Sequence, residues 1–294
     1  MRAALILAAL LGISGAVVAA PADSLDEKKV VSGKTVLDPA TGYILLHGPG
    51  RQGGTFIRVP DAEDLEAFRK ERAEAFAKAE KRYQKKLASW DGEAKLAAAQ
   101  KKAPPAKPVA PDEATFSIGD IEARTAVQFG PDFAYIKDKA NERYSYAMAV
   151  KPGTYIWYGP VLFDPGQGFV GLCYCMGSVR FEVKPGVVTN VGNFLTAAPL
   201  AEQQKSAPLL DIRHNGGWAG FKVEVPTASV PVDYGVPASL DKWPVEQAVF
   251  TASGKFNNIY GVMVSRLPPV PGVLAYDRDR VIDAKSGAPV ASGF

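Results

Sequence analysis

The chain has 294 residues, enough to bury a sizeable core as one large domain or one domain with additions. Its 34 basic and 31 acidic side chains leave a net charge of +3, which excludes a whole-protein field that would draw in nucleic acid or an anionic membrane. After the first segment no apolar run approaches transmembrane length, so no integral span is expected in the processed chain.

Residues 1–22 have the order of a cleavable secretory signal. Met1 and Arg2 give a short positive start, Ala3 to Ala20 an uncharged apolar run, and Ala20-Pro21-Ala22 a small–x–small cleavage pattern. Cleavage is expected after Ala22, because cutting after Ala20 would put Pro21 next to the scissile bond. An uncleaved anchor is the alternative, weakened by Gly12, Ser14 and Gly15. The processed protein is expected in the periplasm or outside the cell. No Cys lies near the junction, so a lipid-modified N-terminus is not expected.

Asp23 to Lys34 is polar. Thr35 to Leu37, Tyr43 to His47 and Thr55 to Val59 have strand composition, with a turn sequence at Asp38 to Gly42. Gly48 to Gly54 lacks the Gly-Lys-Ser/Thr ending of a phosphate loop and precedes a strand, so it is expected to be a hairpin loop.

Asp61 to Trp90 changes to helical periodicity. Leu65, Phe68, Phe76, Ala79, Tyr83, Leu87 and Trp90 form one stripe, acids fill the first turns and bases the last. Asp61 caps the start, Asp91-Gly92 is expected to break the helix, and Glu93 to Lys102 to form a shorter one. Ala103 to Pro111 is a Pro-rich linker long enough to run back along the helix. Residues 61–116 are therefore expected as a helical insertion between strands. It either buries its stripe on a sheet or projects as an arm that docks a partner. Its basic second half suits a solvated face.

From Phe116 the pattern is strands with frequent turn signals. Ile118 to Phe129, Phe133 to Ile136, Tyr144 to Val150, Tyr155 to Phe163, Phe169 to Tyr174 and Val179 to Val183 all have strand composition. Tyr144, Tyr146, Met148 and Val150 alternate with small residues. Lys151-Pro152-Gly153 and Lys184-Pro185-Gly186 recur within similar segments. Each is expected to be the type II turn of a hairpin, a repeated turn solution rather than a duplicated domain.

Residues 144–196, with PGTY at 152–155, CYCMGSVRFEV at 173–183 and KPGVVTNVG at 184–192, resemble small exported bacterial β-sandwich modules of the transthyretin or prealbumin type. The whole chain is also similar to an uncharacterised family of exported bacterial proteins. The resemblance implies a mainly β fold: an Ig-like or prealbumin-like β-sandwich with an inserted long α-helix and a Pro/Gly-rich C-terminal extension. The expected parts are a signal (1–22), N-terminal strands (23–60), the helical insertion (61–116), the sandwich core (117–199) and the extension (200–294). The resemblance implies no activity, because such sandwiches host many functions.

In the extension, short strands are expected at Phe221 to Val225, Ala248 to Thr251 and Ile259 to Val264. Leu267 to Val273 is expected to cross the surface in extended form, and Ala288 to Phe294 to be a loose end.

Three constellations could carry chemistry. Cys173 and Cys175 face the same side in a strand, with Cα atoms about 6.5 Å apart, which opposes a disulfide. A bend at Cys175-Met176-Gly177 would permit one, and an oxidising compartment favours it; a strained pair would be more easily reduced than a structural bridge. Buried thiols are a second reading. A Cu(I) site of Cys173, Cys175 and Met176 is a third, copper being the single cofactor considered.

Second, Tyr276, Asp277, Arg278, Asp279 and Arg280 form the densest charge cluster. In a strand the two Asp would share one face and the two Arg the other. With Arg266 these residues are candidates for partner contact, although a self-paired exposed segment is the plainer reading. Third, His47 and His214 lie far apart in no ligand spacing, and His214 sits in a turn sequence.

With no catalytic set assembled, the leading expectation is a non-enzymatic binding or structural protein that engages another envelope protein or envelope component. The alternatives are a soft-metal or thiol-redox protein built on Cys173, Cys175 and Met176, and a hydrolase using Asp277, Asp279 or His214.

Overall fold

A computed structural model of the chain describes residues 23–49, 53–140, 143–193, 195 and 235–293. The signal segment, His214 and the strand expected at Phe221 to Val225 lie outside the described residues.

In chain order the first strands are β1 (Asp23–Ser24), β2 (Gly42–Pro49), β3 (Gly54–Arg58), β4 (Ala126–Phe129), β5 (Ile136–Asp138) and β6 (Arg143–Val150). Then come β7 (Gly153–Gly159), β8 (Val161–Asp164), β9 (Gly168–Cys173), β10 (Ser178–Val183) and β11 (Val188–Gly192). The last are β12 (Val245–Gln247), β13 (Thr251–Ser253), β14 (Met263–Val264), β15 (Leu274–Asp277) and β16 (Arg280–Asp283). The α-helices are α1 (Glu27–Val31) and α2 (Ala62–Ala99).

The fold is mainly β, with several sheets and one long helix. A six-stranded sheet runs β1-β6-β2-β11-β12, with β5 also on β6, and a five-stranded sheet runs β13-β10-β7-β3-β4. Three strands form β14-β9-β8, and β15 pairs with β16.

Period-two alternation explains how these sheets are buried. Ile44, Leu46, Tyr146 and Met148 of the six-stranded sheet share one cluster with Phe56, Trp157, Val179 and Phe181 of the five-stranded sheet. The residues between them point away. Ile57, Ile156 and Tyr158 enter a second cluster with the two cysteines and Phe256. Tyr43, Leu45 and Ala147 enter a third, with Val30 of α1 and Leu240. Both larger sheets are therefore covered on both faces. Burying each large side chain contributes about 1.5–3 kcal/mol, so the aromatic-rich first cluster is the main source of stability.

The expected hairpins are where the structure differs most. β2 and β3 flank Gly48 to Gly54 but belong to different sheets. Lys151-Pro152-Gly153 leads from β6 in the six-stranded sheet to β7 in the five-stranded one, and Lys184-Pro185-Gly186 leads back from β10 to β11. Pro and Gly turn the chain at both Lys-Pro-Gly segments, but a turn does not decide whether the next strand pairs or crosses to another layer. Gly186 has φ +70°, the positive value a type II turn requires; Gly153 has φ +142° and already begins β7.

Other segments also depart from expectation. Thr35 to Leu37 forms no strand, and the polar stretch before it holds β1 and α1, the latter capped by the Asp26 side chain. Strand structure between Ile118 and Phe129 is confined to Ala126–Phe129, and between Tyr155 and Phe163 it breaks at Gly159-Pro160. Thr251 opens β13 rather than ending a strand, and of Ile259 to Val264 the last two residues alone are strand.

Leu267 and Val270 are buried, so their segment belongs to the core. The C-terminal residues are tied down: Val290 N donates to Val281 O at 2.9 Å and Gly293 N to Lys255 O at 2.7 Å.

The chain divides into two compact units, one of which is Pro60–Ile121. In that unit α2 begins with a reciprocal cap: Asp64 N donates to Asp61 Oδ1 at 3.0 Å and Asp61 N to Asp64 Oδ2 at 2.8 Å. The helix continues through Asp91-Gly92 to Ala99, overriding the expected break. One glycine costs only about 1 kcal/mol relative to alanine, and the alanines and leucine that follow are strong helix formers. It ends in a Schellman motif: Lys101 N donates to Ala98 O and Lys102 N to Ala97 O, with Lys101 at φ +53°.

Nothing in α2 is fully buried. Its stripe is half covered by the returning chain of the same unit. Trp90 Nε1 donates to Pro105 O at 2.7 Å, Phe76 meets Phe116 edge-on at 5.3 Å, and Arg72 donates to Phe116 O at 3.0 Å and to Glu113 O. The linker therefore runs antiparallel to the helix, as its length allows. From Trp90 back to Phe76 the helix falls about 21 Å, which residues 105–112 span at about 3.1 Å each. The turn at Asp112 to Thr115 takes up the remainder.

Candidate functional site

The cysteines lie at a corner between sheets. β9 ends at Cys173, β10 begins at Ser178, and the turn between them is closed by Gly177 N donating to Tyr174 O at 3.1 Å. This bend brings the Cα atoms of Cys173 and Cys175 to 5.2 Å, inside disulfide range, and the two sulfurs are bonded. Regular strand geometry at Cys175 is thus overturned by the turn, while the pairing that a bend would permit is present.

β7 and the C-terminal segments around Phe256 and Ser265 to Leu267 hold the corner. Tyr174 N donates to Tyr158 O (2.7 Å), Ser265 N to Cys173 O (2.8 Å), Met176 N to Ser265 O (3.0 Å), Phe256 N to Cys175 O (3.0 Å) and Leu267 N to Gly177 O (2.9 Å). Cys173 and Cys175 are 0% and 2% exposed, among Ile57, Ile156, Tyr158 and Phe256. Met176 is 40% exposed and is not among the residues packed around the two sulfurs. In this bonded form neither sulfur is a thiolate, so soft-metal ligation would require the reduced pair. Burial pushes the neighbouring Tyr174 hydroxyl up to about 12.

The charge cluster is folded rather than extended. Asp277 and Arg280 are register partners across the β15–β16 hairpin and form an ion pair. Asp279 accepts from Lys255 Nζ at 3.4 Å, which holds its carboxyl below the usual range. The alternation expected of a strand is lost because Arg278 and Asp279 are the turn, with Arg278 at φ +57°. The two carboxylates therefore have separate basic neighbours.

Tyr276 joins the two candidate regions. Arg266 lies 4.5 Å from the Tyr276 ring centroid and donates to Arg278 O at 3.2 Å. The Tyr276 hydroxyl lies 2.6 Å from Leu267 O and 3.2 Å from Gly177 O. Gly177 is required here: at φ +137° a Cβ would sit 2.8 Å from the Tyr276 ring. Cysteine corner, Arg266 and hairpin thus form one tied assembly, although about a hundred residues separate its parts in sequence.

His47, passed over as a lone histidine, is buried on β2 beside its register partner Ser145, whose Oγ lies 2.8 Å from Nδ1. Burial lowers its pKa, and the Arg143 charge adds to this. A base whose folded pKa lies below its unfolded value stabilises fully above the unfolded value, near 6.5, and loses that contribution as pH falls toward the folded one. The melting temperature should therefore fall as pH is lowered from about 7.5 to about 5.5. A His47→Gln variant should show a shallower decline in the same scan; an identical slope would place the titration elsewhere.

Comparison with family models, curated proteins and solved structures finds no match to this chain.

Proposed function

We propose that this is an exported, non-enzymatic envelope protein. It is a transthyretin-like β-sandwich whose helical insertion, residues 61–116, engages another envelope component. The observation that carries the reading is the Cys173–Cys175 disulfide, buried at the centre of a hydrogen-bonded corner. A disulfide spanning two positions closes so short a loop that it adds little chain-entropy stabilisation. An oxidising compartment, which the signal-like segment 1–22 implies, would keep it formed.

One further observation supports part of the reading. Asp277 and Asp279, the acids that might have served hydrolysis, are each held by a base.

Intact mass of protein alkylated before lysis tests export and pairing together. The expected species starts at Asp23 and takes up no alkyl group until a dithiol adds two electrons and two protons, after which it takes up two. An unprocessed chain alkylated at both cysteines would overturn the proposal.

A further inference from the structure

The unit Pro60–Ile121 separates its charge along its length. Because the linker folds back, residues 61–77 and 109–121 lie together in the half that opens the helix, and residues 78–108 form the other half. The first half holds nine acids against three bases, and the second nine bases against three acids. The centres of the halves are about 30 Å apart along α2. That is several times the roughly 8 Å screening length at physiological salt, so the basic half is felt as a separate object.

Within it, Lys78, Lys81, Arg82, Lys85 and Lys86 fall within about 140° of the helix circumference, an arc that also holds Glu93 and is centred about 120° round from the half-covered stripe, with Lys85 and Lys86 beside the returning linker at Pro105 and Pro108. All five are exposed, and none has an ion-pair partner among the described residues. Leu96 lies on the same face five turns beyond Lys78 and is 60% exposed. Glu63, Asp64, Glu71 and Glu74 hold this face's opening half.

We propose that this basic face docks on an anionic phospholipid surface, with Leu96 entering the headgroup layer and the acidic half held off by like charge. The proposal rests on the reading that residues 61–116 engage an envelope component, and names its chemistry. Five unpaired bases on one face complement a plane of phosphates, each adding attraction within a screening length. An apolar side chain on that face suits an interface with hydrocarbon beneath it, and does not suit a soluble polyanion. Pairing with a second copy is less favourable, because exposed ion pairs would have to offset the whole cost of association.

Co-sedimentation of the full processed chain with vesicles tests this. Binding is expected to vesicles containing about one-third phosphatidylglycerol at about 0.05 M salt, and not to phosphatidylcholine alone. It should fall at least about tenfold at about 0.5 M salt. The variant with Lys78, Lys81, Arg82, Lys85 and Lys86 all changed to Gln should lose at least about tenfold. The smaller Lys85→Glu/Lys86→Glu variant should weaken binding in the same direction, while Arg69→Gln/Lys70→Gln should bind as the parent does.

Equal binding to neutral vesicles, undiminished binding by both charge variants, or capture of inorganic polyphosphate without vesicles would overturn the proposal. A chain that fails on vesicles yet carries an Asp23 N-terminus and the disulfide would leave the export reading standing.

Discussion

Gly171→Ala is expected to destabilise the β-rich unit by about 3 kcal/mol or more, lowering its melting temperature by roughly 10 °C. Gly171 lies on β9 opposite Val161, with φ +131°. A Cβ there falls inside contact distance of Pro160 O and 2.9 Å from Val161 Cα. Both obstacles are backbone atoms, of the β7–β8 turn and of the first residue of β8, and cannot rotate away. Gly168→Ala is the control. Its φ is +82°, but nothing lies within 4 Å of the added carbon, so it bears backbone strain without crowding, about 1–2 kcal/mol. Equal losses in the two variants would show that close approach at Gly171 is not what the glycine serves.

Where single elements carry strong local signals, the fold is legible in the sequence. Tyr146, Met148 and Val150 alternate with Ala147 and Ala149, and the structure sends the two sets to different clusters. The Asp61 start of α2 is equally plain, because a capping box is a local code. Its end was hidden: the left-handed position of the Schellman motif holds Lys101 where glycine is usual, and Gly92 lies mid-helix. Connectivity was not legible. Lys-Pro-Gly specifies a reversal, and only packing among Ile44, Phe56, Tyr155 and their neighbours decides that the next strand crosses to another sheet.

The candidate residues were legible as types, not as an assembly. Cys173, Arg266 and Tyr276 stand out in sequence, but nothing local reveals that Gly177 must accommodate the Tyr276 ring. Nor does it reveal that Ser265 and Leu267 pair with the cysteine corner. Distant hydrogen bonds made the site, and sequence spacing carries no trace of them. A single strand would put Asp277 and Arg280 on opposite faces, whereas they are partners across a turn; one two-residue reversal converts the first arrangement into the second.

The shared aromatic cluster yields the other large effect. Phe129 belongs to the five-stranded sheet and Tyr146 to the six-stranded sheet, with ring centroids 5.2 Å apart and planes at 52°. Phe129 is 2% exposed and also stacks on Phe56 at 5.8 Å. Phe129→Ala should cost about 3–5 kcal/mol in denaturant unfolding, from lost burial plus the cavity left behind. The milder Phe129→Leu and Tyr146→Leu changes allow a double-mutant cycle with the chain still folded. If the two sheets stabilise one another through this pair, the coupling should be about 0.5–1.5 kcal/mol. Strictly additive losses would mean that each sheet is stabilised by its own contacts, and the proposed sandwich would lose its physical basis.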